Sequence, residues 1–258
     1  KEVFKRTEIK YLLNEEQLSG LMPYLETMAK VDRYGLSRRN NIYFDTPDYR
    51  LVKTSMEKPI YKEKLRLRTY GKTDDDTNSF IEIKKKYDGV VYKRRISGRY
   101  LDTYSYLISR SSAKDSFDHS QISKEIREFL KLYGDLRPAM CICYDRIAMI
   151  GTEDAEFRVT FDRNITWNDK CTDLRKAGEG RKLLKDGQCL MELKVSNSMP
   201  MGLARKLSEL KIFPVSFSKY GSGYADMINT VTYKKTERTA DLSPVKESGV
   251  MKGVAAYV

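Results

Sequence analysis

Segments that alternate strictly between apolar and charged residues constrain the fold of this chain more than any other feature. The clearest runs from residue 62 to residue 71 (KEKLRLRTYG). Because successive side chains of a β-strand point to opposite faces of the sheet, Leu65 and Leu67 share one face there. The other face carries Lys62, Lys64, Arg66, Arg68 and Tyr70. A cationic strand face is usually solvated, so this segment alone predicts a strand and no function.

The same alternation recurs in six other segments of the chain. Their polar faces carry Glu8, Lys10, Glu82, Lys84, Lys86, Lys93, Arg95, Tyr144, Arg146, Arg158, Thr160, Asp162, Glu192 and Lys194. Arg and Lys dominate these faces, whereas Ser, Thr and Gln, which are typical of solvated strands, are scarce. If the strands close into a barrel, one face must point into its lumen. About ten cations in a lumen are tolerable only when a polyanion lies among them, so the pattern indicates a phosphate-rich ligand.

Turn and capping signals divide the chain into strands and helices. We predict strands at residues 3–13, 41–45, 58–71, 79–87, 90–98, 139–150, 156–163, 188–195 and 213–217. We predict helices after Asn14 and at residues 101–111, 120–133, 201–210 and 223–231. Strands with hairpins and inserted helices indicate an α+β fold, here an antiparallel β-barrel with helices packed on the outside. We predict one domain over residues 1–235 and a C-terminal tail over residues 236–258, which carry no pattern.

Charge and cysteine content indicate the partner and the compartment. The 258 residues include 48 Lys and Arg against 36 Asp and Glu, and this formal charge of +12 favours an anionic partner. Most tyrosines alternate onto apolar faces, so we expect no nucleic acid as partner. No window is apolar enough for a membrane segment. The four cysteines have no paired spacing, which fits a reducing cytoplasm.

A few carboxylates lie among the cations of the alternating strands, and Glu8, Glu82 and Glu192 are among them. Mg²⁺ and Mn²⁺ prefer oxygen ligands and are often held by one or two carboxylates together with substrate phosphates. These residues are therefore candidate metal ligands, and salt bridges to neighbouring lysines are the alternative. The phosphate-binding loop G-x-x-x-x-G-K-[ST] is absent, so phosphate binding would rest on side chains.

Seven motifs, in order along the chain, resemble a known family. They are NIYFDTPDYRL, YKEKLRLRTYG, EIKKKYDGVVYKRR, YDRIA, FRVTFDRNITW, MELKV and FSKYGSGYA. Together they resemble the VTC domain, the polyphosphate polymerase branch of the triphosphate tunnel metalloenzymes (a CYTH-like superfamily). The resemblance implies a tunnel barrel that transfers the γ-phosphate of ATP to a growing inorganic polyphosphate chain, with Mn²⁺ or Mg²⁺ as cofactor.

The resemblance also implies roles for individual residues. The catalytic group around the transferred phosphate would be Arg66, Arg68, Lys84, Arg146 and Arg158. The phosphate-binding residues would be Lys10, Lys86, Lys93, Tyr144, Ser218 and Lys219, to which the strand faces add Lys64, Arg95 and Lys194. Glu192 would hold the metal, with Glu82 and Glu8 as further candidates.

The first strand departs from the wider superfamily, which carries E-x-E-x-K there. This chain has Arg6-Thr7-Glu8-Ile9-Lys10, so an arginine stands in place of the first glutamate. The change removes one possible metal ligand and favours the polymerase branch. Two alternatives stay open: an inorganic triphosphatase or nucleotide-triphosphate hydrolase on the same fold, and a polyphosphate-binding module without catalysis.

Overall fold

A computed structural model describes residues 7–88, 90–109, 120–196 and 198–240. Its strands are β1 (Thr7–Leu13), β2 (Ala29–Val31), β3 (Ser37–Asp45), β4 (Tyr61–Tyr70), β5 (Asn78–Tyr87), β6 (Val90–Arg99), β7 (Arg137–Gly151), β8 (Arg158–Asn168), β9 (Arg181–Lys182) and β10 (Cys189–Val195). Its helices are α1 (Glu15–Glu26), α2 (Arg50–Met56), α3 (Tyr100–Ser109), α4 (Gln121–Tyr133), α5 (Met201–Glu209) and α6 (Lys219–Ala240). The predicted α+β class is confirmed.

One antiparallel sheet contains all the described strands. Its order is β1-β10-β8-β7-β3-β4-β5-β6, with β2 added beside β7 and β9 beside β8. In the described parts of the chain no pairing joins β1 to β6, which are the two ends of this order. The antiparallel pairing is as predicted, but the hydrogen-bonded sheet is open and does not form the closed barrel that we expected.

Helices cover one face of the sheet with two clusters of buried apolar side chains. In the first cluster, Leu21 of α1 and Leu203 of α5 pack with Leu193 of β10. The second cluster joins α3 and α4 to β3, β4 and β5, where Leu65 and Ile83 are fully buried. Because alternate side chains of a strand point to opposite faces, the charged side chains lie on the other side of the sheet.

Local capping signals predicted two helix starts correctly. The Gln17 N–H donates to the Asn14 side chain at 2.8 Å, and the Asn14 N–H donates back to the Gln17 side chain at 3.1 Å. Ser120 caps α4 through the N–H of Ser123, and Gly134 follows the last turn of that helix. These contacts satisfy N–H groups that have no partner inside the helix.

The structure differs from the predictions around residues 213–218. The predicted strand at 213–217 is only an isolated bridge between Tyr11 and Pro214, since proline lacks the N–H that a ladder needs. α6 begins at Lys219, four residues before the predicted start. Ser218 caps it by accepting a hydrogen bond from the Gly221 N–H at 3.2 Å. Glycines near this helix start have low helix propensity, so the sequence did not predict a helix there.

The chain divides into two compact units, residues 1–224 and 225–258. The first unit contains the sheet and α1 to α5, and the described part of the second is the remainder of α6. The predicted tail begins within α6, and residues 241–258 lie outside the described residues. Within the part of the chain that the structure describes, no helix is long and apolar enough to cross a membrane.

Candidate functional site

The side of the sheet opposite the apolar clusters carries the charged residues, and we call it the charged face. Its members are Glu8, Lys10, Arg39, Asn41, Tyr43, Lys62, Lys64, Arg66, Arg68, Tyr70, Phe80, Glu82, Lys84, Lys86, Lys93, Arg95, Tyr144, Arg146, Arg158, Thr160, Asp162, Glu192 and Lys194. Cross-strand register aligns them in rows, such as Lys10 beside Glu192 and Glu192 beside Thr160. The sequence alternation therefore identified most of one continuous surface.

The sheet curls so that the charged face lies on its inner side. Lys84 Nζ of β5 lies 3.8 Å from Glu8 Oε1 of β1, although six steps of the sheet order separate these strands. In a flat sheet that separation would be about 29 Å. Side chains from strands near opposite ends of the sheet order therefore meet across the charged face.

Glu82 is buried among three cations on the β4–β6 side of the charged face. Its Oε2 accepts a hydrogen bond from Arg66 Nε at 2.7 Å, and its Oε1 lies 2.5 Å from Lys93 Nζ. Arg68 Nε lies 3.7 Å from Oε2. Burial alone would raise the pKa of Glu82, but these cations lower it far below its usual range. Both carboxylate oxygens face cations, so Glu82 orders the two arginines.

A second ionic cluster joins β7, β8, β10 and the start of α6. Arg146 donates two hydrogen bonds to Asp162, at 2.5 and 2.6 Å, and a third to Glu192 at 3.3 Å. Lys219 Nζ lies 2.5 Å from Asp162 Oδ2 and 3.1 Å from Glu192 Oε1. Burial alone would raise the pKa of Glu192, but Lys219, Arg146 and Lys10 lower it well below its usual value. The cluster thus holds two carboxylates between two cations.

Tyr144 lies between these two clusters. Its hydroxyl accepts a hydrogen bond from Arg68 Nη2 at 3.2 Å. The Arg146 guanidinium and the Lys219 ammonium lie 5.3 and 4.7 Å from the centroid of its ring. Burial alone would raise the pKa of Tyr144, but Arg68, Arg146 and Lys219 lower it to about 8. The structure therefore brings the predicted residues Arg66, Arg68, Tyr144, Arg146, Glu192 and Lys219 together.

The segment before α6 contacts two more predicted residues. Lys10 Nζ donates to the carbonyl oxygen of Phe217 at 2.8 Å, and Lys64 Nζ donates to Ser218 Oγ at 2.9 Å. Burial and the repulsion of four neighbouring cations lower the pKa of Lys64 to about 7. Lys64 therefore loses its proton near neutral pH unless an anion lies beside it.

Buried contacts of Tyr220 fix the start of α6. The Tyr220 ring stacks on Tyr43 with 4.6 Å between centroids, and its hydroxyl donates to Asp45 Oδ2 at 2.8 Å. Asp45 also accepts the N–H groups of Leu51 and Val52 at 2.8 and 3.0 Å, which caps α2. Ser218 and Lys219 directly precede Tyr220, so these contacts position them on the charged face.

Four predicted residues lie at the margins of the charged face. Lys86, Arg95 and Arg158 are exposed. Arg158 Nε donates to the carbonyl oxygen of Ala155 at 3.4 Å, in the loop before β8. Lys194 Nζ lies 3.8 Å from Glu8 Oε2. The structure does not bring Arg158 into either ionic cluster, so no contact there supports its predicted catalytic role.

Eight members of the charged face were not predicted as site residues: Arg39, Asn41, Tyr43, Lys62, Tyr70, Phe80, Thr160 and Asp162. Arg39 was missed because the predicted strand began at residue 41, whereas β3 begins at Ser37. Alternation continued back along β3 would have found it. Asp162 and Thr160 alternate with the apolar residues of β8, but only the fold shows that Asp162 pairs with Arg146 and Lys219.

The charged face has a large excess of positive charge. Among the described residues it combines fourteen Lys and Arg side chains, Lys219 included, with four carboxylates, an excess of ten. The whole chain has a formal charge of +12, so the remaining residues are together nearly neutral. Six of these cations form no ion pair with a described carboxylate: Arg39, Lys62, Lys64, Lys86, Arg95 and Arg158. Such a surface attracts polyanions.

A family model that matches most of the chain shows the family to which it belongs. The model of the VTC domain matches residues 5–228, which include every strand of the sheet and the start of α6. The chain belongs to the VTC domain family. All the predicted site residues of this VTC domain, from Glu8 to Lys219, lie within the matched range. Comparison with curated protein sequences gave no match.

Two solved structures resemble this VTC domain at low identity. A proposed adenylate cyclase from Vibrio parahaemolyticus matches with 11% identity and a TM-score of 0.44, over 86% of this chain and 98% of that one. A proposed adenylyl cyclase from Hippeastrum, described as having a dominant triphosphatase activity, matches with 14% identity and a TM-score of 0.47, over 85% and 95%.

The carboxylates of the VTC domain do not form the predicted three-glutamate metal site, but two of them lie close together. The described residues contain no group of three or more His, Cys, Asp and Glu side chains that could hold a metal ion. Glu8, Glu82 and Glu192 therefore do not form a shared metal site there. Glu192 and Asp162, however, contact the same lysine. Thr160, opposite Glu192, has a buried hydroxyl without a hydrogen-bond partner among the described residues. Two carboxylates and a hydroxyl fit Mg²⁺ or Mn²⁺ when phosphate supplies the other ligands.

Proposed function

We propose that this VTC domain is a polyphosphate polymerase, which transfers the γ-phosphate of ATP to a growing inorganic polyphosphate chain. The excess of ten positive charges on one face of the sheet is the observation that carries this proposal. Polyphosphate is a linear polyanion, and it matches a surface whose cations continue across eight strands.

The proposal includes a tunnel lined by the charged face. The 3.8 Å approach of Glu8 and Lys84 supports it, because these residues lie near opposite ends of the sheet. The chain before α6 supports it as well, since Lys10 of β1 and Lys64 of β4 both donate hydrogen bonds to that segment. A tunnel would keep a growing polymer bound between successive transfers.

The proposed reaction rests on alignment and neutralisation of charge. A terminal oxygen of the polyphosphate attacks the γ-phosphorus of ATP, the bond from that phosphorus to the β–γ bridging oxygen breaks, and ADP leaves with the electron pair. Because the attacking oxygen is already ionised, no general base is required. Arg66, Arg68 and Arg146 would donate to the phosphate oxygens and stabilise the charge of the transferred group.

Glu192, with Asp162 beside it, would hold the divalent metal ion that this family generally uses. Bound there, Mg²⁺ or Mn²⁺ would neutralise charge on the phosphate oxygens. Arg146 and Lys219 contact both carboxylates and fix their positions. The lowered pKa of Glu192 keeps that carboxylate ionised at neutral pH.

Three of the four carboxylates of the charged face favour transfer over hydrolysis. A general base that activates water works best with a pKa near the operating pH. For Glu8, Glu82 and Glu192, burial would raise the pKa, but neighbouring cations lower it. These three carboxylates are therefore poor bases, whereas an ionised phosphate acceptor needs none.

The test is to incubate the purified protein with ATP and Mn²⁺ and to separate the products on a gel stained for polyphosphate. We expect a polymer ladder from the wild type and a loss of at least about a hundredfold in Arg66→Ala and Glu192→Ala, since each removes a group that acts on transferred charge. Arg94→Ala is the control, because Arg94 lies on the other face of β6, 3.6 Å from Glu125.

The products separate the alternatives. Release of free phosphate without polymer would show that the protein is a hydrolase and not a polymerase. If neither product forms but polyphosphate binds and its binding survives Glu192→Ala, the protein is a binding module. If Arg94→Ala abolishes the polymer ladder as fully as Arg66→Ala does, the charged face is not the site.

A further inference from the structure

The charged face changes character at one end, which we call the aromatic end and define by Arg39, Tyr70, Phe80 and Arg95. The Arg39 guanidinium lies 4.2 Å from the Tyr70 centroid, and the Arg95 guanidinium lies 4.9 Å from the Phe80 centroid. The two rings meet edge to face, with 5.6 Å between centroids. The aromatic end therefore presents four planar groups side by side.

These rings are accessible, unlike the other aromatic side chains of the charged face. Tyr70 and Phe80 are only half-buried. Tyr43 and Tyr144, in contrast, are 7% and 2% exposed, and both are engaged by neighbouring side chains. Among the described residues of the charged face, Tyr70 and Phe80 are thus the aromatic rings on which a ligand could stack.

The two guanidinium groups of the aromatic end are not neutralised. Neither Arg39 nor Arg95 forms an ion pair with a described carboxylate. Burial lowers the pKa of Arg39, and nearby Arg68 and Arg146 lower it further, while Tyr70 and Tyr144 oppose this. Arg39 is paired across the sheet with Tyr70 of β4 on one side and with Tyr144 of β7 on the other, so it adjoins both the aromatic end and the arginines proposed to hold phosphate.

The opposite end of β4 and β5 is different. Lys62 and Lys86 are paired there, and a pocket of about 440 Å³ is lined by them together with Lys58, Pro59, Ile60, Asp88 and Ser216. None of the described residues that line this pocket is aromatic. We call it the lysine end. It suits a ligand with phosphate groups alone, whereas the aromatic end suits a ligand with phosphate and a planar ring.

We propose that the aromatic end binds the base of the nucleotide substrate. This inference rests on the proposed function, in which ATP is the phosphate donor. Tyr70 and Arg66 are four residues apart on one strand, about 13 Å, which leaves room for a ribose and phosphates between them. A base stacked on Tyr70 or Phe80 would place its triphosphate beside Arg39, Arg68 and then Arg66.

Stacking on rings and guanidinium planes accepts any base, because every base has a π-face. The site would therefore distinguish nucleoside triphosphates from inorganic triphosphate more strongly than it distinguishes one base from another. Purines, with the larger ring surface, would bind more tightly than pyrimidines.

The test compares two ligands that share the phosphates and differ in the base. The affinity of the β,γ-imido analogue of ATP and that of inorganic tripolyphosphate are measured by calorimetry for the wild type, Tyr70→Ala and Phe80→Ala. We expect each substitution to lower the affinity for the analogue about tenfold, because stacking is lost. The affinity for tripolyphosphate should change by less than about twofold, because the phosphate contacts stay. Tyr87→Ala is the matched control, because Tyr87 is an exposed aromatic residue on the other face of β5.

Tripolyphosphate also reports whether the charged face of each variant is intact. If the substitutions lower the affinity for both ligands equally, or lower neither affinity, the base does not bind at the aromatic end. A second measurement uses the wild type alone: photolysis with 8-azido-ATP, followed by mass spectrometry of the labelled peptides. We expect the label on peptides that contain Tyr70 or Phe80, and a label elsewhere would overturn the proposal.

Failure of this inference and failure of the proposed function are distinguishable. If the variants lose affinity for the nucleotide analogue but the wild type makes no polymer, the base site stands and the polymerase does not. If the wild type makes polymer and the variants keep full affinity for the analogue, the polymerase stands and the base site is wrong.

Discussion

Lys64 shows how crowding of cations makes the properties of a single residue depend on its ligand. Burial, together with repulsion from Lys10, Lys84, Lys62 and Arg66, lowers its pKa to about 7. A phosphate group beside Lys64 favours the charged form and raises that pKa. Above pH 7 the free protein has lost the proton, so binding must take one up. Affinity for phosphate therefore falls as the pH rises.

We predict that Lys64→Arg makes the affinity for inorganic tripolyphosphate less dependent on pH, because arginine stays charged throughout this range. Between about pH 6.5 and pH 8.5, calorimetry should show a fall in affinity that is about threefold to tenfold larger for the wild type than for the variant. Ionisation of the ligand, of Lys93 and of Tyr144 contributes to both proteins and cancels in the comparison. Lys85→Arg, on the other face of β5, should behave as the wild type. Equal slopes for Lys64→Arg and the wild type would show that Lys64 does not contact phosphate.

Among the elements, Asp45 at the end of β3 joins three parts of the fold. It accepts hydrogen bonds from the N–H groups of Thr46, Leu51 and Val52 and from the hydroxyl of Tyr220. It is fully buried, so each donor would lack a partner without it. The same residue thus starts α2 and holds the start of α6, which carries Lys219.

We predict that Asp45→Ala lowers the free energy of unfolding by about 3 kcal/mol or more, since it leaves several buried donors unsatisfied. Urea unfolding followed by circular dichroism measures this. Asp48→Ala is the control, because Asp48 is exposed and accepts a hydrogen bond from the Thr46 hydroxyl. The folded fraction of Asp45→Ala should also bind tripolyphosphate less tightly, as Lys219 loses its support. Unfolding midpoints that agree between the two variants would contradict the role given to Asp45.

Elements whose signals are local could be predicted from the sequence, and those set by distant contacts could not. The strands of the charged face follow from a two-residue period, and α1 and α4 follow from their caps. α2 was missed because its cap is supplied by Asp45, five residues earlier, and Tyr49 before it has a positive φ of 60°. Asp162 was missed as a site residue because its partner Lys219 lies far along the chain.

For the whole molecule, the aromatic end and the lysine end give the charged face a direction. If the base of ATP lies at the aromatic end, its γ-phosphate points toward the lysine end, and the acceptor chain must approach from there. The lysine end also fits this role by its chemistry. Lys62 and Lys86 form no ion pair with a described carboxylate, and Lys62 Nζ donates only to the carbonyl oxygen of Ser55 at 3.2 Å. These lysines can therefore bind a polymer without breaking an existing salt bridge.

We predict that the double variant Lys62→Ala, Lys86→Ala makes shorter polyphosphate while it binds the nucleotide analogue as the wild type does. Each lysine removed takes one phosphate contact from the product chain, so the chain dissociates sooner. The measurement is the length distribution on a polyphosphate gel after equal amounts of ATP are consumed. Lys85→Ala, which removes a lysine from the other face of β5, should leave the lengths unchanged. If instead the double variant weakens the nucleotide and keeps the lengths, the nucleotide enters at the lysine end and the direction proposed for the charged face is reversed.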